Sequence, residues 1–184
     1  MHLLNIIAEA MGRSPFFRQT FGAYGESKPK RFTFLVRPTL EEFNQFALLL
    51  DKMTSDNINR HFFQNDIPLE SEEQRADGKV LVQPRGTLTL LNEWVRYYFR
   101  TNDCEPWDVA FKSLREVRRL RQQPAHAVND DIFDQKYLKD QRQLIIDAYK
   151  ALRTLRLMFM RDPKVKDAHI EISDWLAKGL LWTY

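Results

Sequence analysis

The stripe of apolar residues between Gln135 and Met160 constrains this chain most. Tyr137, Leu138, Leu144, Ile145, Ala148, Leu152, Leu155 and Phe159 recur at helical spacing and share one face, and Pro163 ends the run. Three earlier stretches repeat the pattern. Thr39 with Glu42 three residues on forms a capping-box signature. Leu40, Phe43, Phe46, Ala47, Leu50 and Met53 then predict a helix running to about Phe63. Thr87 is expected to cap a second helix carrying Leu88, Leu91, Trp94, Val95 and Tyr98. Asp103-Cys104-Glu105-Pro106 starts a third, because proline near the first helical position has no amide to leave unpaired. That helix puts Trp107, Ala110, Phe111, Leu114 and Val117 on its buried side, and Asn129-Asp130-Asp131 breaks the chain before the fourth. Four helices with one stripe each bury those stripes on one another. The expectation is a mainly α fold, an antiparallel up-down four-helix bundle over 38–162.

The rest reads as additions to a single domain, 1–184. Met1–Met11 predicts a short amphipathic helix at the start of an N-terminal extension, 1–37. Phe32–Val36, bounded by Pro38, is a strand candidate, and so is Val80-Leu81-Val82, closed by Pro84 and Gly86; they leave room for one small β-hairpin. Residues 64–78 read as a polar, acidic linker. The C-terminal segment, 163–184, contains Ile170, Ile172, Trp175, Leu176 and Leu180 and is expected to form an extended piece and a docking helix.

Hydrophobic residues make up 43% of the chain, enough for a core, and the net charge of +3 permits an acidic partner without demanding one. Its local distribution says more. Lys112, Arg115, Arg118, Arg119 and Arg121 crowd residues 112–126 against Glu116 alone, whereas Asp66, Glu70, Glu72, Glu73 and Asp77 surround a lone Arg75. The single cysteine, Cys104, excludes an intramolecular disulfide and favours a reducing, cytoplasmic setting. The carboxylates show no metal-ligand spacing and no Gly-rich phosphate loop is present, so neither a metal nor a cofactor is expected. No apolar run approaches the ~20 residues of a membrane span, and Met1–Met11 lacks a basic leader and contains Glu9, so neither membrane insertion nor a signal peptide is expected.

The basic stretch ends in chemistry. In Leu114-Arg115-Glu116-Val117-Arg118-Arg119-Leu120-Arg121-Gln122-Gln123-Pro124-Ala125-His126, arginine forks stand just ahead of a histidine. Arginine grips phosphate oxygens with a permanent charge, and histidine moves a proton near neutral pH. His126 alone among His2, His61, His126 and His169 has an arginine at this offset. Arg121, followed by the polar Gln122, precedes it with four residues between. On a continuous helix Arg119, seven positions before His126, would share its face, as would Arg115, while Arg121 would diverge by about 140°. Pro124 lies between, however, and kinks or ends the helix, which can re-aim His126. Arg121 is the first choice for a catalytic arginine and Arg119 the alternative. Arg115, Arg118, Gln122 and Lys112 are the candidate RNA-binding residues.

The Arg121/His126 spacing, late in a third bundle helix, resembles the Arg-x(4–6)-His motif of the HEPN (higher eukaryotes and prokaryotes nucleotide-binding) family, whose domains are four-helix bundles. The resemblance covers roughly residues 38–162. It implies a metal-independent endoribonuclease of the kind used in toxin–antitoxin or antiphage defence, with an antitoxin as a further partner. Two motifs from two domains meet in such sites, and this chain carries one, so the resemblance implies a homodimer. Two alternatives share the same residues: a non-catalytic HEPN-like module that binds RNA or nucleotide, and a helical interaction domain whose basic face meets an acidic protein. Arg60-His61 and the row Lys150, Arg153 and Arg156 read as a helix end and a solvated helix face; the cluster Trp94, Tyr97, Tyr98 and Phe99 reads as core.

Overall fold

The computed structural model describes residues 1–21, 35–100, 102–122 and 131–179. In chain order it holds α1 (His2–Ala10), α2 (Leu40–Met53), the 3-10 turns Ser55–Asn57 and Arg60–Phe63, β1 (Glu70–Gln74), β2 (Val80–Pro84), α3 (Thr87–Tyr98), α4 (Glu105–Gln122), α5 (Lys136–Phe159), α6 (Pro163–Lys166) and α7 (Asp174–Lys178). The fold is mainly helical with one small antiparallel two-stranded sheet among the described residues.

Thr39 caps α2 as its sequence predicts, its hydroxyl accepting from the Glu42 amide at 3.3 Å. Glu42 does not return to Thr39. Its carboxylate accepts from the Arg37 amide and guanidinium, each at 3.0 Å. The helix stops at Thr54 rather than near Phe63, because the Thr54 hydroxyl donates to the Leu50 carbonyl at 2.7 Å and the backbone leaves helical geometry there (φ −104°, ψ −92°). The two 3-10 turns fill the remainder. At α3 the cap is Gly86, not Thr87; the Thr87 hydroxyl instead donates to the Ser55 carbonyl at 2.8 Å, tying α3 to the turn after α2. Glu105 opens α4 with its amide donating to Asp103 Oδ1 at 3.0 Å.

The acidic linker is partly a strand. Glu70–Gln74 pairs with Val80–Pro84, Glu72 opposite Val82. Gly78, at φ +79°, turns the chain in the left-handed conformation that costs glycine nothing. Polar side chains on β1 concealed this strand from the apolar pattern. The other candidate fares differently: Phe32–Phe34 lie outside the described residues, and Leu35 and Val36 belong to no strand.

The core falls into two clusters. α2 supplies Phe43, Phe46, Ala47 and Leu50 to the smaller one, where they meet Val117 of α4 and Tyr137, Leu144 and Ala148 of α5. The larger cluster gathers α3, the N-terminal part of α4, the C-terminal part of α5, the Arg60–Phe63 turn and, at its centre, the N-terminal segment. Leu4, Ile7 and Ala8 of α1, then Phe16 and Phe17, are buried there. The Asn5 amide clamps Phe17 in both directions, donating to its carbonyl at 2.9 Å and accepting from its amide at 2.7 Å. Asn59 donates its backbone amide to the Phe16 carbonyl at 2.8 Å. The part of the N-terminal extension from Leu4 to Phe17 therefore contributes to the structural core.

Arg13 completes this cluster. Its guanidinium lies over the rings of Tyr98 (4.7 Å), Trp94 (5.0 Å) and Phe62 (5.4 Å) and pairs with Asp66. Asp66 also accepts from the Trp94 indole at 2.6 Å. Burial alone would lower the Arg13 pKa, but hydrogen bonds to Asp66 and Tyr98 outweigh it and hold the group above its ordinary value. The predicted α5 stripe also needs adjustment: Leu138 is exposed, while Gln141 and Arg156 are buried. Arg156 is thus no part of a solvated face. At the C-terminal end, α7 buries none of its residues, and Trp175 and Leu176 are exposed.

Candidate nucleic-acid interface

Two helical stripes build the site. On α4 the buried positions Trp107, Ala110, Leu114 and Val117 turn a neighbouring stripe outward: Asp108, Lys112, Arg115, Arg119 and Gln122 follow one another at four- and three-residue steps, with Phe111 beside them. On α3, Thr89, Asn92, Glu93 and Arg96 form the facing wall, with the buried Leu88 at its foot. The two stripes face each other across a groove of about 940 Å³, also lined by Glu116 and Arg118. Its walls are pinned together by Arg96 Nη2 to Asp108 Oδ1 at 2.5 Å and by the Trp107 indole donating to Asn92 Oδ1 at 3.0 Å.

The groove brings together Lys112, Arg115, Arg118, Arg119 and Gln122, all singled out from the sequence. Their charges are committed to different degrees. Arg119 pairs with Glu116 on its own helix at 2.6 Å, with both side chains about half exposed. That hydrogen bond holds the Glu116 carboxyl below its ordinary range. Arg115 sits over the Phe111 ring at 5.9 Å, and neither it nor Lys112 forms an ion pair among the described residues. Arg85, at the base of the hairpin, pairs with Glu93 and so withdraws one acid from the groove.

Arg121 stands apart. Its Nη1 donates to Asp51 Oδ2 at 2.6 Å and lies 3.6 Å from Asp56. Arg118 Nε donates to the other Asp51 oxygen at 2.9 Å. Asp51 is 0% exposed, whereas Arg118 and Arg121 are 24% and 30% exposed. Hydrogen bonding to Asp51, against the opposing effect of burial, raises the Arg121 pKa. The two arginines form a clamp that closes α4 on α2 and satisfies a carboxylate that could not remain buried alone. Asp51 was missed at the level of sequence, yet it carried a signal: with Phe43 and Ala47 it continues a four-residue step on the apolar face of α2. An acid at a core position demands a paired cation.

Gln123, Pro124 and His126 lie outside the described residues. None of the other histidines lines the groove; His61 is exposed, with Nδ1 3.4 Å from Gln64 Oε1. Among the described residues no group of three or more His, Cys, Asp or Glu is placed to share a metal ion. No helix among them is long and apolar enough to cross a membrane. Compared with protein-family models, curated proteins and solved structures, the chain matches none of them.

Proposed function

We propose that this chain binds RNA along the α3–α4 groove and, as a homodimer, cuts it without metal at an Arg/His pair, in the manner of an HEPN-like endoribonuclease. The observation that carries the RNA reading is the convergence of Lys112, Arg115, Arg118 and Arg119 on one groove, two of them without an ion pair among the described residues. On this reading α2, α3, α4 and α5 correspond to the up-down four-helix bundle of that family. A cytoplasmic toxin restrained by an antitoxin, or an antiphage effector, is the setting it fits.

In the reaction the RNA 2′-oxygen attacks the neighbouring phosphorus and the bond to the 5′-oxygen breaks. One proton leaves the 2′-hydroxyl and one reaches the departing 5′-oxygen. His126 and His126 of the partner subunit supply these two transfers. Arg119 is the better clamp for the phosphorane charge, because its Glu116 partner is exposed and exchangeable, whereas Arg121 is held by a fully buried carboxylate. That commitment of Arg121 also favours a second reading, a module that binds RNA or nucleotide without cutting it.

The test is cleavage of a labelled single-stranded RNA in EDTA. His126→Ala should lower the single-turnover rate at least about 100-fold with the circular dichroism spectrum unchanged. Arg119→Ala should lose more than Arg121→Ala. Full activity in the His126 variant would remove the site assignment. RNA binding without cleavage by the wild type would establish the second reading, and the absence of both would leave a helical protein-interaction domain.

A further inference from the structure

We propose that the cleft between the C-terminal end of α3, the start of α4 and the C-terminal end of α5 binds a small planar aromatic anion, such as an aromatic carboxylate or sulfonate. It lies beyond the Asp108 end of the α3–α4 groove and does not depend on the RNA reading. The cleft encloses about 560 Å³, within the size range of small-molecule sites. It borders a hollow of about 370 Å³ that shares Phe99, Arg100, Trp107 and Met158 as walls.

The lining defines the ligand. The half-buried Tyr98 and Phe99 offer aromatic surface against the buried Trp107, and Leu157 is left about half exposed in the wall although it is apolar. Flat rings matching a flat guest recover that area from water. Two cations, Arg100 and Arg161, complete the lining, and neither forms an ion pair among the described residues. The two carboxylates at the cleft are occupied. Asp162 accepts from the Tyr98 hydroxyl at 2.6 Å and from the Lys164 amide at 2.8 Å. Asp103 accepts from the Glu105 amide. The charges of the lining balance, but the carboxylate oxygens are turned to protein donors while the two guanidinium groups keep donors for a guest. One anionic group on an aromatic body satisfies both halves of the site, and arginine forks hold a carboxylate or sulfonate in two-point contact.

The experiment uses the full chain with 8-anilinonaphthalene-1-sulfonate and its uncharged counterpart N-phenyl-1-naphthylamine, read by probe fluorescence and by tryptophan quenching. The sulfonate should saturate one site per chain and bind about tenfold more tightly than the neutral probe. Arg161→Ala should remove most of that difference. Leu157→Glu, at an exposed position, should weaken the sulfonate by about tenfold or more through like-charge repulsion while the denaturant midpoint stays unchanged. Met158→Trp, which fills the cleft, should weaken both probes together. Equal affinity for the two probes overturns the proposal. So does unaltered sulfonate binding in both Leu157→Glu and Met158→Trp.

Discussion

Arg118→Ala combined with Arg121→Ala is expected to destabilise the fold by about 3–5 kcal/mol, the range for removing the partners of a buried charge. Asp51 is fully buried and receives one hydrogen bond on each carboxylate oxygen from these two guanidinium groups. Either single substitution leaves it one partner. Each should therefore cost about 0.5–1.5 kcal/mol, the net contribution of one hydrogen bond when the carboxylate keeps its other partner. The double variant should lose more than the sum of the singles, since only there is the carboxylate stranded. Asp51→Ala should be milder than the double variant: both arginines retain partial exposure and can turn toward water. Urea unfolding of the four proteins measures all of this. Strict additivity would mean that water, rather than the clamp, solvates Asp51.

Phe16→Ala is expected to cost about 3–5 kcal/mol, as large-to-small aromatic changes in a close-packed core do. Phe16 is 0% exposed and meets Phe17, Phe62 and Phe159 edge-on at 4.8, 5.0 and 5.2 Å between ring centres. Its loss would open a cavity where the N-terminal segment, the Arg60–Phe63 turn and α5 converge. A loss below about 1 kcal/mol would mean that the segment before α2 packs loosely on a self-sufficient set of helices.

The helices were legible because each carries a stripe at one period, and their ends were less so. α5 falls within a residue of its predicted start and end, and α4 begins where Asp103 and Pro106 announce it. α2 ended early because a single side-chain bond, Thr54 to Leu50, competes with helix continuation, and periodicity is blind to such a contact. β1 was hidden by its own glutamates: exposed throughout, it needs no apolar alternation. The burial of Phe16 and Phe17 was hidden by their surroundings, since aromatic residues near prolines and glycines give no period.

The candidate site divides along the same line. The basic stripe of α4 and its groove follow from residue spacing, so Lys112, Arg115, Arg118, Arg119 and Gln122 could be read together. The difference between a cation facing solvent and one spent on a carboxylate depends on a partner 67 or 70 residues away, which no local pattern encodes.

On the proposed function, an RNA backbone lies along the α3–α4 groove. The most direct measurement is the affinity for a short single-stranded RNA as a function of salt, in the wild type and in the Lys112→Ala/Arg115→Ala variant. Each phosphate contact contributes about 0.7 to the slope of log affinity against log salt for single strands. The variant is expected to bind more weakly at every salt concentration, with a slope smaller by about 1.4 and the unfolding midpoint unchanged. The same slope and affinity in both proteins would contradict it.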